Sequence, residues 1–166
     1  MIPSGVDIAD LSAQLREDQL AIGPNADFGR IQESELLDVL SVSNQESGAG
    51  VDGRADFGLA LIDVPFGKAA DLRDVAQELQ LNTEIETIVV RTPTAGAAVS
   101  ELHSRAELEA AESAFAHVQT STGFHNFVDT LSSTPIQWSV VAIALTVVIA
   151  TALTVSWLLV TKLLRN

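Results

Sequence analysis

The sequence predicts an α/β domain joined to a single membrane-spanning helix. Three observations carry that reading: two short apolar runs separated by an amphipathic stretch, a helix-opening capping signature beyond them, and an uncharged apolar segment near the C-terminal end. At 166 residues the chain has room for one domain of ordinary size, residues 1–134, followed by a span at 135–161 and a basic tail at 162–166.

Asp7 precedes Ile8, Leu11 and Leu15, spaced by three and four, and Asp10 falls in the first turn. That pattern predicts a capped amphipathic helix ending at Asp18 or Leu20, since an Asp side chain accepts from N–H groups that a helix start leaves unpaired. Gly23-Pro24-Asn25 breaks it. A second helix is expected from Gln32 to Val42, with Leu36, Leu37 and Leu40 as its apolar face. Ser47 to Gly53, with three glycines, reads as a flexible hinge loop.

Phe57 to Val64 is a continuous apolar run interrupted only at Asp63, the pattern of a strand covered on both faces. Leu72, Val75, Ala76 and Leu79 then recur at helical spacing within Ala69 to Leu81, and Thr87 to Thr92 forms the second run, closed by Pro93. Strand, helix and strand at these lengths predict a βαβ unit with parallel strands and a right-handed crossover. Ala97 to Glu101 adds a short third strand. Ser104 and Glu107 form a capping box opening a helix with Leu108, Ala111, Phe115 and Val118 as its buried stripe. A last helix, Thr122 to Leu131, carries Phe124, Phe127, Val128 and Leu131, and Thr130 to Pro135 links it onward. No repeat is present.

From Ile136 to Thr161, 26 residues carry no charge. As a helix they extend roughly 39 Å, beyond the roughly 30 Å of a hydrocarbon core. Trp138 and Trp157 lie 19 positions apart, which suits one aromatic ring at each interface, and Lys162 and Arg165 follow as polar anchors. Ala142, Thr146, Ala150 and Thr154 recur every four residues and place small side chains on one stripe, the kind that lets a second transmembrane helix approach closely. The basic tail favours a cytoplasmic C-terminus, whereas a short tail crosses a bilayer more readily than a folded segment without an export signal. The expected arrangement is the second, with the domain in the cytoplasm.

All 22 acidic residues precede Pro135 alongside seven of the nine basic ones, a formal charge of −15 against +2 for the tail. Such a domain repels phosphate backbones and excludes nucleic-acid binding. Absence of cysteine excludes disulfides, thiolate metal sites and thiol nucleophiles. Phosphate-loop, dinucleotide and serine-hydrolase signatures are missing. His103, His117 and His125 lack zinc-ligand spacing and read as separate side chains. No catalytic set and no organic cofactor is expected. Asp63 stands at a strand's C-terminal end, where open α/β sheets place their crevices. With Asp71 and Asp74 on the following helix, or Glu101 near another strand end, it is the candidate for holding Ca²⁺ or Mg²⁺ through oxygen ligands; a carboxylate capping the following turn is the plain alternative.

Leu72 to Ala76, Thr87 to Pro93 and Ser100 to Glu109, followed by a lone span, resemble an uncharacterised family of actinobacterial single-span membrane proteins, itself distantly similar to the TPM domain. The resemblance implies a small α/β domain, a short mostly parallel sheet flanked by helices, with one C-terminal transmembrane helix. It also implies roles in the assembly or modulation of membrane complexes, with phosphatase or Ca²⁺-binding activity as the alternative. The TPM-type Asp-Gly-Val-aromatic step corresponds here to Asp18-Gln19-Leu20-Ala21, without the glycine or the ring, and no catalytic residue is carried over. The expected function is therefore a non-enzymatic accessory protein whose partners are the bilayer and a transmembrane helix or complex. A metal-dependent phosphatase, or a cation-responsive modulator without turnover, is the alternative.

Overall fold

A computed structural model describes residues 2–24, 26, 33–46, 57–65, 68–115, 118–132 and 146. The chain divides into two compact units, Met1–Ser132 and Ser133–Asn166. In the second unit the described residues reduce to Thr146, which is helical and exposed. Among the described residues no helix is long and apolar enough to cross a membrane, and the segment at 136–161 lies outside them apart from Thr146.

The first unit is α/β, as expected. Its elements are α1 (Ile8–Asp18), β1 (Leu20–Ile22), α2 (Glu33–Glu46), β2 (Phe57–Leu61), α3 (Ala69–Thr83), β3 (Thr87–Arg91), β4 (Gly96–Ser100), α4 (Arg105–Glu112), a 3-10 turn (Ser113–Phe115) and α5 (Thr120–Ser132). The capping signals act as their chemistry dictates. Asp7 accepts from the Asp10 amide at 3.1 Å, and Glu107 returns the cap by accepting from the Ser104 amide at 2.7 Å.

The four strands lie side by side in chain order, β1 to β3 parallel and β4 antiparallel to β3. Leu20, Phe57, Leu59, Leu61 and Val89 face one layer, formed by α2, α4 and α5. Ala21, Ala60, Ile62, Ile88 and Val90 face the other, formed by α1 and α3. Burial on both sides explains why β2 and β3 read as continuous apolar runs rather than alternating ones. It also fixes a topological point. The β1-α2-β2 and β2-α3-β3 connections step the same way across the sheet but lie on opposite faces, so they have opposite hands, although right-handed crossovers dominate among proteins. A right-handed β2-α3-β3 unit therefore requires a left-handed β1-α2-β2 one.

At each sheet border a helix side chain bonds one strand residue. Gln14 of α1 pairs with Ile22, accepting from its amide at 2.9 Å and donating to its carbonyl at 3.5 Å. On the far border Glu112 of α4 accepts from the Ala98 amide at 2.8 Å. Such plugging keeps an open strand edge from recruiting another chain. Asn44 does similar work at the start of β2, accepting from the Phe57 amide at 2.8 Å and donating to its carbonyl at 3.2 Å.

Several expected boundaries move. The first helix stops at Asp18 because Gln19 turns left-handed (φ 59°), and Leu20–Ile22 then forms a strand that was not foreseen. The second helix runs on to Glu46, the third to Thr83, and the last spans Thr120 to Ser132, so the expected linker from Thr130 begins inside a helix. The α4 helix ends at Glu112, and the 3-10 turn takes Val118 out of the buried stripe, leaving it 37% exposed. The hinge loop at 47–53 and the span residues Trp138, Ala142, Ala150, Thr154, Trp157, Lys162 and Arg165 lie outside the described residues.

Candidate functional site

The four carboxylates expected around a cation do not come together. Asp63 follows the C-terminal end of β2, where Leu61 pairs with Arg91 and Arg91 with Gly96. Glu101 follows Ser100, which pairs with Thr87 at the other end of β3. Four residue steps along β3 separate the two ends, roughly 13 Å. Asp71 closes the start of its own helix, accepting from the Lys68 amide at 3.0 Å, while Asp74 belongs to the body of α3. Among the described residues no three acidic or histidine side chains gather where one metal ion could be held. His125 instead pairs with Asp129 at 2.9 Å on α5, and the His103 amide donates to the Ser100 hydroxyl; His117 lies outside the described residues.

The structure points elsewhere, to the end of β3. Arg91 continues the alternation of Thr87 and Val89, so its side chain is directed onto the α4/α5 face rather than into solvent. It is only 7% exposed. Its Nη1 donates to the Phe115 carbonyl at 3.1 Å and its Nη2 to the Val118 carbonyl at 2.8 Å. The Phe115 carbonyl closes the 3-10 turn and the Val118 carbonyl stands just before α5, so Arg91 caps backbone on both sides of the turn. The guanidinium carbon also sits 4.9 Å from the centre of the Phe115 ring. Nε is buried and has no hydrogen-bond partner. Burial pushes the pKa of Arg91 down, yet a guanidinium stays protonated at any physiological pH, so a desolvated positive charge persists there.

Gly123 makes this arrangement possible. A Cβ at that position would come within 2.9 Å of Phe115, 3.0 Å of Val118 and 3.1 Å of Arg91 Nη1. Phe124 and Phe127 close the inner side, with Phe124 edge-on to Phe57 and both rings against Phe115.

Outside this cluster opens a cleft of about 530 Å³, lined by Arg91, the Thr92–Gly96 hairpin, Glu112, Phe115 and Val118. Thr92 shapes the hairpin by accepting from the Ala95 amide at 3.0 Å while its own amide donates to the Ala95 carbonyl. Glu112 lines the same cleft. Its carboxyl is pushed up from the ordinary range, first by burial, with the Ala98 amide and the nearby Arg73 pulling the other way. One permanent positive charge, one carboxyl and an aromatic floor thus share a cleft of ordinary ligand-binding size.

A family profile matches the chain over residues 1–165, and the family is described as membrane protein Rv1476. The chain belongs to that family. Its description establishes a membrane protein and assigns no activity, partner or site. No curated protein and no solved structure matches the chain. The Arg91 cleft is therefore assigned from its geometry within the Rv1476 family chain itself. Sequence reasoning passed over it because Arg91 looks like the polar terminus of an apolar run. The available signal was phase, since Arg91 shares the parity of Val89 in a strand buried on both faces.

Proposed function

We propose that this Rv1476 family member is a single-pass, non-enzymatic accessory protein whose acidic α/β domain docks onto a membrane complex. The observation that carries the reading is the charge-free segment Ile136–Thr161, long enough as a helix to cross a bilayer, in a chain belonging to a membrane protein family. The small-residue stripe Ala142, Thr146, Ala150 and Thr154 supplies a packing surface for a partner helix, with Trp138, Trp157, Lys162 and Arg165 as interface anchors. In this reading the domain lies on the cytoplasmic side.

A distant TPM-like ancestry has one structural support. The TPM-type string has a glycine where this chain has Gln19, and Gln19 adopts φ 59°, a conformation that glycine enters without strain. A step from helix to strand through a left-handed residue is the shape that string would encode.

The test is fractionation followed by purification in mild detergent. The protein is expected to stay with membranes through alkaline carbonate washing and to co-purify with a membrane complex, with Ala150→Leu weakening the association. Recovery of the wild type from the aqueous fraction without detergent, or repeatedly as a lone monomer, would overturn the reading. Because the chain has no cysteine, Asn126→Cys gives a clean probe of sidedness. It should resist a membrane-impermeant maleimide until the cells are opened.

A further inference from the structure

We propose that the Arg91 cleft binds a small oxyanion, a phosphate or carboxylate group, held by the guanidinium and approached past Thr94. This goes beyond the accessory role and does not depend on it.

The inference starts from donors left over. A guanidinium has five N–H groups, and two of them satisfy Phe115 and Val118. Nε–H has no partner, and among the described residues no carboxylate lies within ion-pairing distance of Arg91. The two carbonyls alone do not explain an arginine. A neutral amide could satisfy a helix end without desolvating a permanent charge, and burying a charge without a counter-charge is unfavourable unless something returns the lost solvation. An oxyanion in the cleft returns it, because guanidinium and oxyanion form short, charge-assisted bonds.

Geometry favours the same answer. Arg91 is held by its two carbonyl bonds, by the face of Phe115 and by the space that Gly123 leaves, so its orientation is fixed before a ligand arrives. It is more than nine-tenths buried and still lines the open cleft. The domain's overall negative charge acts against anions at long range, but salt screens it over about 8–10 Å and leaves the local guanidinium dominant. Glu112, which also lines the cleft, opposes binding of highly charged ligands and favours a small or singly charged group.

The experiment measures thermal unfolding of the full-length protein in detergent, with inorganic phosphate, acetate or short-chain phosphatidic acid titrated against chloride at equal ionic strength. Saturable stabilisation is expected in the wild type. Stabilisation by phosphate or acetate assigns a free anion, and stabilisation by the lipid at much lower concentration assigns a headgroup. Thr94→Glu places a carboxylate at the exposed mouth and should abolish the shift while leaving the unliganded Tm within about 3 °C, as surface changes do. Arg91→Met should abolish it too, and Glu112→Gln should tighten binding several-fold. No shift beyond chloride in the wild type overturns the proposal. An equal shift in wild type and Thr94→Glu overturns it as well, since the anion would then sit elsewhere.

Discussion

On the α1/α3 side the sheet meets only leucine, isoleucine, valine and alanine in its buried cluster, whereas the α2/α4/α5 side gathers Phe57, Phe115, Phe124 and Phe127 beside a buried guanidinium. Aliphatic side chains interlock without regard to polar atoms and leave a closed scaffold. Aromatic rings offer faces and edges against which a cation can rest, and here the Phe115 ring lines the cleft while the other rings stay in the core. The first face fixes the sheet; the second carries Arg91, a buried cation whose pKa burial lowers.

Truncating each face gives the largest expected effects. Phe124 and Leu79 are both fully buried. Phe124→Ala should cost about 3–5 kcal/mol and Leu79→Ala about 2–5 kcal/mol, measured by urea unfolding. A markedly smaller loss at Phe124 would break the view that the aromatic layer is as tightly packed as the aliphatic one.

A finer comparison uses two fitted glycines. Gly58 lies on the aliphatic side, where a Cβ would sit 2.9 Å from Ile88 and 3.0 Å from Ile85; Gly123 is its counterpart on the aromatic side. Gly58→Ala should cost about 1–3 kcal/mol through overpacking. Gly123→Ala meets a similar clash but gains about 1 kcal/mol of helix propensity, so its net cost should be the smaller of the two. Chemical denaturation ranks them, and the reverse order would mean that the Arg91 cluster is the more rigid.

Relief of backbone strain comes next. Gln19→Gly should raise stability by about 1 kcal/mol, because a left-handed non-glycine residue costs about 1–2 kcal/mol. An unchanged midpoint would show that side-chain contacts of Gln19 offset the strain. The smallest effect is a pH dependence. Burial raises the Glu112 carboxyl above its unfolded value, so the folded state holds that proton more tightly. Its ionisation therefore removes stability as pH rises from the ordinary carboxylate range through the raised value. Glu112→Gln should flatten the stability curve in that window alone, whereas Glu107 and Glu109, whose carboxyls are lowered chiefly by bonds to Ser104 and Arg105, contribute stability that is lost as pH falls.

Local chemistry was legible where it was self-contained. The Asp7 cap, the Ser104–Glu107 box and the apolar periodicity of α3 each specify their structure within a few residues. Leu20–Ile22 was not legible because three residues show no period; its strand character comes from pairing with Leu59–Leu61, 39 positions further on. Val118 was misplaced because helical spacing continues through Ser113 although the backbone tightens there. The cleft depends on Arg91, Glu112 and Gly123 meeting from three elements, and no interval in the sequence encodes that meeting. The separation of Asp63 from Glu101 has a related cause: strand order and direction, not proximity to strand ends, decide which carboxylates become neighbours.

The plugs at the two sheet borders restrict how any other molecule can hold this domain. With Gln14 occupying the outward groups of Ile22 and Glu112 the outward amide of Ala98, an extended peptide finds no ladder to lengthen at those points. Recognition is thereby handed to helix surfaces and to the hairpin rim, where side-chain shape and charge, rather than main-chain hydrogen bonding, select what is bound.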